Sequence, residues 1–163
     1  MSGGKGSRFN QDKPLANVCD SKNLINLITI SKHLTNRVYV ATTYSHPVTR
    51  FLKALNPDVQ LIYTRGEGYE KDILEVVNIL KVPILILPAD IYLNSEILLQ
   101  YLILSCTSDI CNLVFNDNYV GISFWKGYNY SNYENIGIKI YPLTFNNFEE
   151  YIKVAETCKK QIS

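Results

Sequence analysis

The chain lacks the cysteine spacing, the histidine density and the charge excess that mark several function classes. Its four cysteines, Cys19, Cys106, Cys111 and Cys158, form no CxxC pair and have no histidine cluster nearby. A zinc site or a disulfide framework needs tighter spacing or a smaller chain, so the thiols read as reduced. The only histidines, His33 and His46, fall near a helix end and before a proline, and neither is assigned chemistry. Net charge is +1, so no global field draws nucleic acid or acidic membrane, and any anion site has to be local. The longest apolar run, Val82 to Ala89, contains two prolines and is too short for a bilayer. The opening Met1-Ser2-Gly3-Gly4-Lys5-Gly6 has no apolar stretch behind its charge, unlike a signal peptide, and a cytoplasmic location is expected. Repeats, linkers and low-complexity tracts are absent too. A length of 163 residues with 47% apolar side chains therefore suits one globular domain over 1–163.

What is present alternates between helical and extended patterns. Leu24, Leu27, Ile28 and Leu34 recur at helical spacing after Asp20-Ser21, which reads as an N-cap. Arg37 to Thr42 and Val59 to Tyr63 read as strands, separated by a helix that Pro47 opens. Tyr69, Ile73, Val76, Val77 and Leu80 mark one face of a further helix. Ile84 to Leu87 is a continuous aliphatic run, the pattern of a strand buried on both faces. Asn94-Ser95-Glu96 opens a helix, after which short strands are expected at 113–115, 119–125 and 136–141. Phe148, Ile152, Ala155 and Cys158 give a closing amphipathic helix. The alternation predicts a three-layer α/β/α sandwich around a mostly parallel sheet.

Two segments point to a site. In Ser2-Gly3-Gly4-Lys5-Gly6-Ser7-Arg8 the glycines let backbone N–H groups converge on one anion, and Lys5 and Arg8 add charge. The loop matches neither GxxxxGK[ST] nor GxGxxG, and the same composition also suits a solvated tail. Asp90 follows the aliphatic run and should emerge at the carboxyl end of a buried strand, where open α/β sheets bind ligands. Its carboxylate suits Mg²⁺, although aspartate also punctuates turns. Glu70 and Asp72 read as solvated helix residues. Tyr69 either lines a pocket with Gly68 or packs on its helix face.

Joined to Lys13-Pro14-Leu15, the opening loop reads GGKGSR-x4-KPL, which resembles the signature of the MobA-like NTP transferases. These nucleotidyltransferases, of the GT-A-like nucleotide-diphospho-sugar transferase type, couple an NTP to a phosphorylated acceptor. Gly66-Glu67-Gly68-Tyr69-Glu70-Lys71-Asp72 resembles the GxGYxxDL segment of their cobinamide-phosphate branch. Leu87-Pro88-Ala89-Asp90-Ile91 resembles the strand whose terminal aspartate carries the metal, and Asn147 falls on a family asparagine at the last helix. The resemblance implies guanylyl transfer from GTP to adenosylcobinamide phosphate with release of pyrophosphate. Lys13, Arg8 and Asp90 would be catalytic. Gly3, Gly4, Lys5, Gly6, Ser7, Gly66, Gly68 and Tyr69 would hold the nucleotide, and Asp90 and Asn147 would hold Mg²⁺. The implied partners are GTP and a phosphorylated small molecule, with neither nucleic acid nor membrane, and a homodimer is compatible with them. A molybdenum cofactor guanylyltransferase or a non-catalytic nucleotide-binding relative are the alternatives. The sequence departs from the branch at Ser123 and Phe148, and the strand expected to lead into the Gly loop is not found before Ser2. Either that strand lies upstream or the sheet lacks it.

Overall fold

A short turn around proline opens the path traced by a computed structural model, which describes residues 13–19, 21–55, 58–139, 143–144, 149–150, 152–154 and 156. Lys13–Leu15 forms one 3₁₀ turn with Pro14 buried. β1 (Asn17–Val18) then pairs antiparallel with β2 (Ser21–Lys22) and leads into α1 (Asn23–Leu34). The expected cap is corrected here: Ser21 lies in β2, and the N-cap is Lys22, with no side-chain cap bond. None is needed for Asn23, whose backbone N–H donates to the Ala16 carbonyl at 3.0 Å.

The α/β alternation follows. β3 (Tyr39–Thr42), α2 (Pro47–Leu55), β4 (Gln60–Tyr63), α3 (Tyr69–Leu80) and β5 (Ile84–Ile86) succeed one another along the chain. β3 and β4 pair parallel, in register from Tyr39 opposite Gln60 to Thr42 opposite Tyr63. After β6 (Ile91–Tyr92) comes α4 (Ile97–Ser105), then β7 (Ile110–Phe115), β8 (Asn118–Trp125), β9 (Tyr133–Gly137) and β10 (Leu143–Thr144). A four-stranded sheet runs β5-β8-β7-β9, antiparallel at β5–β8 and β8–β7 and parallel at β7–β9. Among the described residues no strand joins this sheet to the β3–β4 pair.

Two apolar clusters hold the layers together. Leu27 and Ile30 of α1, Leu99 and Leu102 of α4, and Leu113 and Ile122 of the sheet share one. Leu24 and Ile28 join Val40, Val48 and Leu52 in the other, so α1 bridges both halves. α4 is apolar nearly all round and leaves Ile97, Tyr101 and Leu104 exposed. In the closing segment, residues 149, 150, 152–154 and 156 are helical, with Val154 buried and Ile152 exposed, the reverse of the expected role for Ile152. Phe148, Ala155 and Cys158 lie outside the described residues.

The reduced-thiol reading is also corrected. Cys106 and Cys111 form a disulfide, with Cα atoms 5.7 Å apart, and no described cysteine is free. The loop between α4 and β7 folds back on itself and brings together two residues that no metal-type spacing would pair.

Candidate active site

Asp90 occupies the turn that follows β5, and a single buried side chain fixes that turn from both sides. Asn23, fully buried at the start of α1, donates through Nδ2 to the carbonyls of Ala89 and Ile91, each at 3.0 Å. Asn26, one turn on, donates to the Leu93 carbonyl at 2.8 Å. The same Asn23 holds the chain entry through its bond to Ala16, whose own N–H donates to the Lys13 carbonyl at 3.1 Å. The outcome is that Lys13 Nζ stands 3.5 Å from Asp90 Oδ2, both groups only partly shielded from solvent. The structure thus unites two of the three residues expected to be catalytic. Arg8, the third, lies outside the described residues, as do Gly3, Gly4, Lys5, Gly6, Ser7 and Asn147.

A second group of residues supports the turn from below. The Tyr69 hydroxyl donates to the Gly121 carbonyl at 2.6 Å. Burial pushes that hydroxyl far above its ordinary pKa, and the neighbouring Tyr119 and the Asp90 charge push the same way. Tyr69 therefore stays protonated and acts as a cross-link between α3 and β8. Gly121 has φ +86°, and a Cβ there would meet Pro88 Cγ at 2.8 Å. β8 thus approaches the Asp90 turn as closely as only glycine permits.

The 64–68 loop and the first turn of α3 sit beside the end of β3. Gly66 (φ +70°) lies so close to Thr43 that a Cβ would come within 2.8 Å of its Cγ2. Its N–H donates to Asp72 Oδ1 at 3.1 Å, and the Asp72 N–H donates to the Gly68 carbonyl at 2.9 Å. Asp72 is buried, which corrects its reading as a solvated residue, because its carboxylate braces this loop; Glu70 is exposed as expected. Gly68 is exposed at φ +123° with open space where a Cβ would stand. Thr43, the 64–68 loop and the Asp90 turn all follow carboxyl ends of strands, the edge at which open α/β sheets receive ligands. Nearby in the chain, Thr42 Oγ1 is buried without a hydrogen-bond partner, as is Asn23 Oδ1.

Asn23 was missed by the sequence reading. Its signal was a polar residue at the first position of an otherwise apolar helix start, Asn23-Leu24-Ile25. The one grouping of three metal-type ligands among the described residues, Cys106, Cys111 and Glu134, lies elsewhere, and its sulfurs are already bonded to each other.

A 3₁₀ turn and the turn after β5 bring Lys13 and Asp90 together beside the closely packed Gly121, at the carboxyl-end edge of an open α/β domain. The chain belongs to the MobA-like NTP transferase domain family, which matches residues 1–135. It is 31% identical over 106 residues to the adenosylcobinamide-phosphate guanylyltransferase of Methanocaldococcus jannaschii, covering 60% of this chain and 54% of that protein. The chain thus aligns with about half the length of this curated relative. In fold it is similar to molybdopterin-guanine dinucleotide biosynthesis protein A from Archaeoglobus fulgidus, with TM-score 0.71 and 12% identity over 98% of this chain and 96% of that one. HddC from Yersinia pseudotuberculosis, complexed with GMP-PN, is similar at TM-score 0.70 and 13% identity, covering 96% of both chains. The nucleotide-diphospho-sugar transferase type of fold is as the sequence implied. No helix among the described residues is long and apolar enough to cross a membrane.

Proposed function

We propose that this protein transfers GMP from GTP to a phosphorylated small molecule, adenosylcobinamide phosphate, and releases pyrophosphate. The observation that carries the reading is the approach of Lys13 to Asp90 at the carboxyl ends of the strands. Family membership and the curated relative support the reaction class and the acceptor, respectively.

The acceptor's phosphate oxygen attacks the α-phosphorus in line, and the obstacle is anion meeting anion. Two unit charges at ~4 Å repel by about 4 kcal/mol at an effective dielectric of ~20, nearly three decades in rate. Lys13 places its charge beside the α-phosphate and favours the crowded transition state. The amides of Gly3, Gly4 and Gly6, with Lys5, Ser7 and Arg8, grip the β- and γ-phosphates. Gly66 and Gly68 border the nucleoside, with Tyr69 beneath them as a support.

The site fits Mg²⁺ on its donor chemistry, because Asp90 offers the hard carboxylate oxygen that such an ion prefers. Asp90 and Asn147 would hold the ion, which supplies charge neutralisation for the departing pyrophosphate. The single domain over 1–163 and a cytoplasmic location belong to the same proposal. A homodimer is part of it too, supported by the exposed Ile97, Tyr101 and Leu104 of α4.

A second reading, transfer of GMP to molybdopterin, is favoured by the fold match to the Archaeoglobus fulgidus protein. Pyrophosphate release, measured with each NTP against adenosylcobinamide phosphate and molybdopterin, tests both. Release with GTP and the cobinamide is expected. Release only with molybdopterin selects the second reading, and GTP binding without turnover on either acceptor leaves a nucleotide-binding relative.

A further inference from the structure

Residues 106–111 form a small ring, closed by the Cys106–Cys111 disulfide between the end of α4 and the start of β7. The ring anchors a neighbouring loop. Asp109 inside it accepts from the Asn129 N–H at 3.1 Å and from Asn132 Nδ2 at 2.7 Å. Its carbonyl accepts from the N–H groups of Lys126 and Gly127 at 2.7 and 3.1 Å. The Ile110 N–H donates to the Asn132 carbonyl at 3.2 Å. A Cβ at Gly127 would collide with the Asp109 carboxylate, so the loop is seated directly on the ring. That loop, residues 126–132, joins β8 to β9 and carries the exposed Tyr128 and Tyr130. Tyr130 stands edge-on to Trp125, with ring centroids 5.8 Å apart.

The surroundings of the two sulfurs suit a dithiol as well as a disulfide. Cys111 Sγ lies 3.1 Å from Glu134 Oε1, and Cys106 Sγ lies 3.5 Å from the Ser108 carbonyl oxygen. A disulfide sulfur has no proton to give, so beside a carboxylate it sets lone pairs against negative charge. A thiol donates there, and an S–H facing a carboxylate gains from the charge. Each sulfur thus has an acceptor that only its reduced form can use. The ring does not depend on the S–S bond either. Glu134 also accepts from the N–H groups of Thr107 and Ser108, and Lys126 Nζ donates to the Cys106 carbonyl at 3.0 Å. So short a loop gains less from cross-linking of the unfolded chain than a long one. Reduction therefore leaves a folded protein.

Cys106 keeps 7% exposure and Cys111 has none, so an incoming thiolate meets Cys106 first. It attacks Cys106 Sγ, the S–S bond breaks, and Cys111 leaves as a thiolate that takes up a proton beside Glu134. The reductant's second thiol then displaces Cys106, and the reductant departs as a disulfide. Two electrons and two protons have passed to the protein. We propose that Cys106 and Cys111 form a reversible thiol–disulfide site for a dithiol reductant, and that the closed ring latches residues 126–132 in the arrangement described above. The inference stands apart from the transferase reading, because its readouts need neither nucleotide nor turnover.

The test equilibrates the full chain in mixtures of reduced and oxidised dithiothreitol, traps thiols by alkylation and locates them at Cys106 and Cys111 by mass spectrometry. Far-UV circular dichroism follows the fold, and emission of the single tryptophan, Trp125, follows the loop. Opening with an unchanged far-UV signal, reversed in the oxidised mixture, is expected. Trp125 emission should change with it, and the Gly127 and Asn129 amides should exchange about tenfold faster or more. Glu134→Gln weakens the acceptor of the Cys111 thiol and should need a several-fold higher ratio of reduced to oxidised dithiol for half opening. A Cys106→Ser, Cys111→Ser double variant, which keeps Cys19 and Cys158, should hold the reduced emission in every mixture. Opening only as the protein unfolds would overturn the proposal and make the bond a permanent staple. So would opening with unchanged Trp125 emission and amide exchange, or a double variant whose emission still follows the mixture.

Discussion

Lys13 and Asp90 are 77 positions apart in sequence and 3.5 Å apart in the fold, and Asn23 is the residue that makes the meeting reproducible. Its amide group ties the chain on both sides of Asp90, and its main chain ties the Lys13 turn. Replacing Asn23 with Ala leaves two buried carbonyls without a donor, at a cost of about 1–3 kcal/mol. Urea unfolding should show that loss, and pyrophosphate release should fall together with it as Asp90 loses its fixed position. A stable N23A protein with full turnover would remove Asn23 from the positioning role. Lys13→Ala makes a different prediction. A cation that acts on the transition state should lower kcat by about 10²–10³-fold and leave the KM for GTP within a few-fold. A loss confined to KM would recast Lys13 as a binding residue.

At the level of elements, β8 meets the β5 turn where Gly121 packs on Pro88 and receives the Tyr69 hydroxyl. Gly121→Ala combines an unfavourable positive φ with overpacking, so a destabilisation of about 1–3 kcal/mol is expected in denaturant unfolding. The β7–β9 pair predicts a pH effect. Backbone N–H groups of Thr107 and Ser108, with the Thr107 hydroxyl and Lys126, hold the Glu134 carboxyl below its usual range. A carboxyl depressed in the folded state stabilises above its unfolded pKa, and that contribution disappears as pH falls through the folded value. Glu134→Gln should therefore be less stable than the parent near neutral pH and should converge with it in acid, as paired unfolding curves would reveal. These elements were unequally legible. α1, α2, α3, β3, β4 and β5 carry a helical or extended period and were readable within a few residues. β1, β2, β6 and β10 are two residues long and have no period to read. The burial of Asp72 depends on a bond to Gly66, the disulfide on a loop reversal, and the role of Asn23 on carbonyls far along the chain. Lys13 and Asp90 were legible as separate motifs, whereas their contact belongs to the tertiary structure.

Considered as a whole molecule, the chain gathers its proposed nucleotide site at the carboxyl ends of its strands. There Lys13 and Asp90 are partly exposed, and Thr42 Oγ1 is buried without a partner. A ligand that fills that site binds the folded state alone and must raise its melting temperature. At a hundredfold excess over Kd the stabilisation is about 2.7 kcal/mol, and each kcal/mol moves Tm by roughly 2–4 °C at this size. GTP with Mg²⁺ should therefore raise Tm by about 5–10 °C by differential scanning calorimetry. Asp90→Asn should keep the part of the shift due to phosphate contacts and lose the part that depends on Mg²⁺. With a net charge of only +1, the shift cannot come from a general attraction for polyanions, so inorganic triphosphate should reproduce it only in part. A shift of equal size with triphosphate alone would mean that Gly66 and Gly68 do not touch the nucleoside. No shift with any NTP, in a chain that still unfolds cooperatively, would remove nucleotide binding while leaving the fold in place.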